Sequence, residues 1–267
     1  MKRFIPFLNS DPTIAVIRLQ GAITASPRGQ GINDATYGPV IEKAFSKGKP
    51  VAVALAINSP GGSPVQSALV AARIRRLAKE KDIPVHAFVE DVAASGGYWL
   101  ACAGDDIWVD PSSIIGSIGV ISTTFGFVEA MQKIGVERRV YTAGKDKSIL
   151  DPFRPERAED VDRLKDLQQQ VHDVFIDHVK TSRGDRLSDD KDLFTGAFWA
   201  GTRGVDLGLA DGIAHLVPKM KELYGDKARF TKHGPKRGLL PRLGAQVLTD
   251  LDQGLEERAL YARYGLT

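Results

Sequence analysis

Ser95 stands in the segment Ala93-Ala94-Ser95-Gly96-Gly97-Tyr98-Trp99, between small residues on both sides. A hydroxyl placed between the end of a strand and the start of a helix is exposed on a tight turn. The N–H of Gly96 and the positive end of the helix then face any negative charge that develops beside it. That is the setting of a nucleophile, although a serine at this position can also be a plain helix N-cap. A second loop, Asn58-Ser59-Pro60-Gly61-Gly62, closes the apolar run 51–57. Paired glycines let backbone N–H groups point outward with no side chain in the way, as an oxyanion hole requires; the same pair also suits an ordinary strand-to-helix turn.

A nucleophilic serine needs a base, and the five histidines are poorly placed to supply one. His86 lies in the strand pattern before the serine, His172 and His178 fall on a long helical stretch, His215 ends a strand pattern, and His233 sits in a basic segment. Lysine is the other option, and Ala143-Gly144-Lys145-Asp146-Lys147-Ser148-Ile149-Leu150 offers two. A lysine acting near neutral pH must fall by roughly 2 to 3 from about 10.4, which costs about 3 to 4 kcal/mol and has to come from burial. Ser148, Ile149 and Leu150 give Lys147 an apolar neighbourhood, whereas Asp146 favours a charged partner. Spacing leaves both lysines open, and either could be a solvated surface residue.

The elements that must position these groups alternate. Strand patterns occur at 14–19, 51–57, 84–89, 106–109, 136–142 and 209–215, and helical patterns at 38–45, 95–103 and 125–134. The run 51–57 is apolar throughout, as in a parallel sheet buried on both faces. Ser63-Pro64-Val65-Gln66 combines an N-cap, a proline at the first helical position and a capping-box glutamine; the helix it opens can turn Leu69, Ile74 and Leu77 to the sheet. The longest helix spans 156–182, with Val161, Leu164, Leu167, Val171, Val174 and Val179 on one stripe. Alternation of this kind predicts an α/β fold around a largely parallel sheet, whose loops at the strand ends carry the chemistry.

Composition narrows the function. A chain of 267 residues with 43% hydrophobic content supports one large or two small domains. The net charge of +3 is too slight to imply a nucleic-acid partner. Residues 219–243 carry net +6 by themselves, and with Gly234-Pro235 and Gly238 they read as a basic linker. An amphipathic helix with Leu240, Leu243, Val247, Leu251 and Leu255 follows it. The domain reading is therefore 1–218 for the α/β body that carries the candidate site and 219–267 for a basic linker with a helical extension. Cys102 is the single cysteine, which excludes an intrachain disulfide and suits a small buried hydrophobe. The apolar run at 4–8 is far too short for a signal-peptide core, and no run approaches 18 residues. A cytoplasmic location is expected, with peripheral contact to the inner membrane through 219–267.

INSPGG at 57–62, AASGGYW at 93–99, GSIGV at 116–120 and GKDKSIL at 144–150 occur in this order, and together they resemble the signal peptide peptidase A family, peptidase family S49. FTGAFWAGTRGVDLGLAD at 194–211 is similar to the segment that follows the long helix in that family, so the likeness runs over about three quarters of the chain, from 14 to 215. The resemblance implies a Clp protease/crotonase-like fold of repeated β-β-α and β-α units, and a Ser-Lys dyad of Ser95 and Lys147. It also implies that Ser117 orients the lysine amine, and that Gly61 or Gly62 joins Gly96 in holding the oxyanion. No metal or cofactor is implied. The substrates would be signal-peptide-like, hydrophobic or unfolded peptides. Short members of the family assemble into homo-oligomeric rings or domes, whose protomers can share the dyad. Two rival readings are a crotonase-like acyl-CoA enzyme, which would share the fold and the oxyanion glycines, and a non-proteolytic membrane-associated scaffold.

Overall fold

The computed structural model describes residues 11–25, 31–144, 146–235 and 257–266. Its strands are β1 (Thr13–Gln20), β2 (Ala52–Ser59), β3 (Val85–Ala94), β4 (Asp106–Val109), β5 (Ile114–Gly116), β6 (Phe198–Ala200), β7 (Gly212–Ile213) and β8 (Arg229–His233). Its helices are α1 (Asp34–Ser46), α2 (Pro64–Lys81), α3 (Gly96–Ala101), α4 (Val128–Lys133), α5 (Ala158–Arg183), α6 (Gly201–Asp206) and α7 (Leu216–Tyr224). The chain divides into two compact units, one of Met1–Ile118 with Ile176–Thr267, the other of Gly119–Phe175.

The first unit is the α/β body that the alternation predicts. Its sheet runs β6-β5-β3-β2-β1-β8, with β4 beside β3 and β7 beside β4. Every pairing is parallel except β5 with β6. All eight residues of β2 are buried, which explains why its sequence is apolar without alternation. The long strand β3 pairs with two successive partners: His86 to Val89 face β4, and Val92 to Ala94 face β5. This division carries the far end of β3 beside Gly116, and so places two functional loops side by side. Helix α2 starts as read from the sequence, with Ser63 accepting from the Gln66 N–H. It buries Ile74 and Leu77 but leaves Leu69 46% exposed, so Leu69 turns away from the sheet.

Several expectations are corrected. Residues 136–142 form no strand, because Glu137, Arg138 and Arg139 are exposed and no ladder partner is present among the described residues. The pattern at 125–134 contracts to α4, and that at 209–215 to β7, since Leu209 and Ala210 pack into the turn before the strand. Residues 219–233 are no linker. They include the end of α7, with Met220 fully buried, and β8, which extends the sheet from β1. Its buried residues, Met220, Ala228 and His233, are few among the charged ones. The helix read at 240–255 lies outside the described residues.

In the second unit the described residues other than Asp160 and Phe175 are not buried. Phe125, Phe127 and Phe153 cluster, and Arg138 lies 5.5 Å over the Phe153 ring. Phe125, Ile134 and Tyr141 remain 79%, 73% and 90% exposed. Among the described residues, no helix is long and apolar enough to cross a membrane.

Candidate active site

Strand β3 ends at Ala94, and Ser95 follows with φ 52° and ψ −122°, a backbone conformation costing of order 1–3 kcal/mol in a residue with a Cβ. Its N–H donates to the Gly116 carbonyl at 2.8 Å, and its own carbonyl accepts from the Tyr98 and Trp99 N–H groups at 2.9 and 3.0 Å. The turn is thereby pinned on both sides. Ser95 occupies the N-cap position of α3, yet its side chain makes no capping hydrogen bond. The ordinary use of an N-cap serine is absent, and the hydroxyl stays half-buried and available.

The glycine loop after β2 packs directly on this turn. A Cβ on Gly61 would come within 2.8 Å of both the Ser95 Cβ and the Ala94 carbonyl, and 2.9 Å from the Gly96 nitrogen. Gly62, at φ 143°, would place a Cβ 2.0 Å from the Ile23 carbonyl. Gly96 in turn is pressed on the buried Ser67 hydroxyl, and its missing Cβ would lie 3.4 Å from the Gly62 nitrogen. The Gly61 N–H points at Ser59 Oγ, 3.3 Å away. The Gly62 and Gly96 N–H groups donate to no other group among the described residues. Two free donors thus sit close together beside the serine, an arrangement suited to an oxyanion. Gly62→Ala is expected to cost at least about 2 kcal/mol, because the added methyl meets backbone and the left-handed φ is strained. A fall in the thermal midpoint checks this.

Ser117 follows the Gly116 carbonyl that holds the Ser95 N–H. It too has a positive φ, 53°, and its N–H donates to the Ala197 carbonyl at 2.7 Å. Its hydroxyl accepts a hydrogen bond from Tyr264 at 3.2 Å. The first unit therefore gathers Ser95, Ser117, Gly61, Gly62 and Gly96. Lys147 lies in the second unit, exposed in the turn 146–150, with its N–H on the Gly144 carbonyl at 3.3 Å. Lys145 lies outside the described residues.

The helix that follows the serine is anchored by hydrogen bonds from beneath. Tyr98 donates to the Leu209 carbonyl at 2.8 Å, and Ser182 to the Cys102 carbonyl at 2.9 Å. Burial pushes the Cys102 thiol up to about 11, so it is no competing nucleophile. His178 stacks on Trp99 at 4.6 Å and donates to the Trp99 carbonyl at 3.1 Å; burial holds its pKa below the ordinary value in spite of that bond. A histidine lowered on folding stays neutral in the folded chain, while the unfolded chain takes up the proton. Its contribution is complete above pH 6.5 and falls away as the pH drops below that value. His178→Phe keeps the stack and removes the titration, so its thermal midpoint should fall less than the parent's between pH 7 and 5.

Sequence reasoning missed Ser59, Ser67, Tyr261 and Tyr264. The two tyrosines are three residues apart in Tyr-Ala-Arg-Tyr, a spacing that puts both on one helix face and was the available signal.

The chain matches the sequence model of peptidase family S49 over residues 77–226. It is 50% identical along its whole length to a Brucella melitensis protein named Na(+)/H(+) antiporter NhaA, of which it covers 39%. It is 29% identical over 66% of its length to a putative signal peptide peptidase SppA of Enterococcus faecium, covering 51% of that protein. A probable protease SohB of Haemophilus influenzae is 31% identical over 73% of the chain, which covers 55% of that relative. The chain thus spans between about two fifths and just over half of these relatives. Among solved structures, the membrane-bound stomatin-specific protease 1510-N, a mutant in complex with a substrate peptide, superposes with a TM-score of 0.53. That alignment covers 92% of this chain and 99% of the other at 14% identity, a likeness of fold.

Proposed function

Because the chain belongs to peptidase family S49, we propose that it is a serine endopeptidase with Ser95 as acylating nucleophile and Lys147 as general base. The observation that carries the reading is the strained Ser95 turn, whose hydroxyl caps nothing and whose neighbours Gly62 and Gly96 offer free N–H donors. Neutral Lys147 takes the Ser95 proton as the oxygen attacks the peptide carbonyl. The oxyanion draws on the Gly62 and Gly96 N–H groups, with Gly62 favoured over Gly61 because the Gly61 N–H is turned to Ser59. Collapse of the tetrahedral intermediate passes the proton to the leaving amine. Water then cleaves the acyl-enzyme by the reverse sequence, and Ser117 orients the lysine amine.

The exposed position of Lys147 and the uncovered apolar side chains of the second unit favour an assembly of several copies, in which association supplies the burial a lysine base needs. The substrate class that suits an apolar, small-residue cleft is an unfolded or hydrophobic peptide, taken up partly through main-chain hydrogen bonds. Lys147→Ala is expected to lower peptide hydrolysis by at least about 100-fold. The parent's activity should rise along a limb between neutral and alkaline pH; a limb near pH 6, or undiminished activity in Lys147→Ala, rules the lysine out as base.

A further inference from the structure

We propose that residues 257–266 are a built-in competitor of substrate, seated over Ser117 and the glycine loop; this rests on the peptidase reading of the same site. Tyr264 is 7% exposed. Its hydroxyl donates to Ser117 Oγ at 3.2 Å and lies 3.5 Å from the Pro60 carbonyl. Its ring stands edge-on to Phe198 at 5.1 Å. The ring also packs with Val92 and Ala94 of β3, flanked by Ile114, Tyr261 and Leu266. Tyr261 donates to the Asn58 carbonyl at 2.9 Å, and Glu257 accepts from the Ala22 N–H at 3.3 Å.

Asn58 lies at the end of β2, where its carbonyl also accepts from the Gly21 N–H at 2.9 Å, and Pro60 opens the loop that carries the oxyanion donors, with a carbonyl that an incoming peptide backbone could use. Tyr261 donates to the first carbonyl, and the Tyr264 hydroxyl stands over the second. Tyr264 also engages Ser117, the hydroxyl assigned to the lysine base. Meanwhile its ring covers the apolar surface of Val92, Ala94 and Ile114 at the ends of β3 and β5, where Ala94 directly precedes Ser95.

The manner of attachment suits a displaceable group rather than a part of the core. The backbone hydrogen bonds of 257–266 are internal, from Tyr264 to Tyr261, Gly265 to Ala262 and Leu266 to Tyr261. None joins the sheet among the described residues, so the segment is held by side chains alone. Such a segment can open locally without unfolding the body. While it is seated the cleft is unavailable, and apparent substrate affinity is reduced by the fraction of chains in which the segment is lifted; a seated population of nine in ten raises the apparent KM about tenfold.

The test compares the full chain, a variant ending before residue 257, and the full-length double variant Tyr261→Ser/Tyr264→Ser. A short unstructured apolar peptide is the substrate, and its binding is also measured by fluorescence anisotropy in the Ser95→Ala background. Both altered chains are expected to show an apparent KM several-fold lower and correspondingly tighter peptide binding. A synthetic peptide of sequence ERALYARYGL should inhibit the shortened chain competitively. Unchanged KM and binding in the double variant overturn the proposal. So does a loss of kcat at constant KM in Tyr264→Phe, which would make Tyr264 a positioning residue for Ser117. If peptide binds more tightly without the segment but no chain hydrolyses it, the competitor stands and the peptidase reading falls.

Discussion

Ser95→Ala is expected to abolish peptide hydrolysis, by roughly 10⁴-fold or more, because the proposed mechanism takes its bond-forming oxygen from this residue. The same variant should fold normally, since the hydroxyl makes no capping bond. Ser95→Gly sharpens the test. The φ of 52° strains any residue with a Cβ, so glycine should be equally inactive yet more stable than alanine by about 1 kcal/mol. A position at which removing the side chain raises stability while destroying activity holds its strain for function. Three measurements decide it: hydrolysis rate, acylation by an activated peptide ester read by intact mass, and the thermal midpoint. Retained acylation in Ser95→Ala would overturn the assignment and leave the nucleophile to be sought elsewhere.

Arg183→Met is expected to cost about 3 to 5 kcal/mol, roughly 10 °C in the thermal midpoint for a chain of this size. The Arg183 side chain is 1% exposed and bonds both Asp211 oxygens at 2.7 and 3.0 Å, as well as the Gly208 carbonyl at 2.8 Å. Asp211 also accepts from the Ile107 N–H at 2.7 Å, so the pair ties the end of α5 to β4 and the turn before β7. The variant leaves Asp211 with the more exposed Arg186, 3.2 Å away, in place of its principal countercharge, and that under-compensated carboxylate is the main expense. Arg183→Met/Asp211→Leu should therefore recover a good part of the loss. Burial opposes ionisation of Asp211, but the hydrogen bond and charge of Arg183 hold its carboxyl below the ordinary value. A carboxylate lowered on folding contributes fully above its unfolded pKa of about 3.9 and loses that contribution as the pH falls through the folded value. The parent should lose stability steeply in that acid range, and the double variant should not. A double variant no more stable than Arg183→Met alone would show that the guanidinium acts chiefly through its bond to Gly208.

The legible parts of the fold were those written in local pattern. The apolar run that became β2 could only be a buried strand. Ser63, Pro64 and Gln66 fixed the start of α2, and the small residues around Ser95 marked a strand-to-helix turn. What local pattern missed were elements whose partners are remote. Strand β8 looked like a charged tail because its partner, β1, lies more than 200 residues away, and because His233 is its only buried side chain. The stretch 136–142 read as a strand by composition, yet nothing pairs with it among the described residues.

The same division holds at the site. The sequence by itself determined that Ser95 would sit on a strand-to-helix turn beside glycine N–H donors, because both properties follow from small residues at the end of an apolar run. It left the lysine open on physical grounds, since burial is a property of surroundings and not of spacing. Only the tertiary structure decided that among the described residues the Gly62 N–H has no acceptor while the Gly61 N–H is turned to Ser59, that the serine hydroxyl caps nothing, and that Tyr264 reaches Ser117 across 147 residues of chain. Each of these depends on where a strand ends in space relative to its neighbour, which is set by the register of β2, β3 and β5 in one sheet.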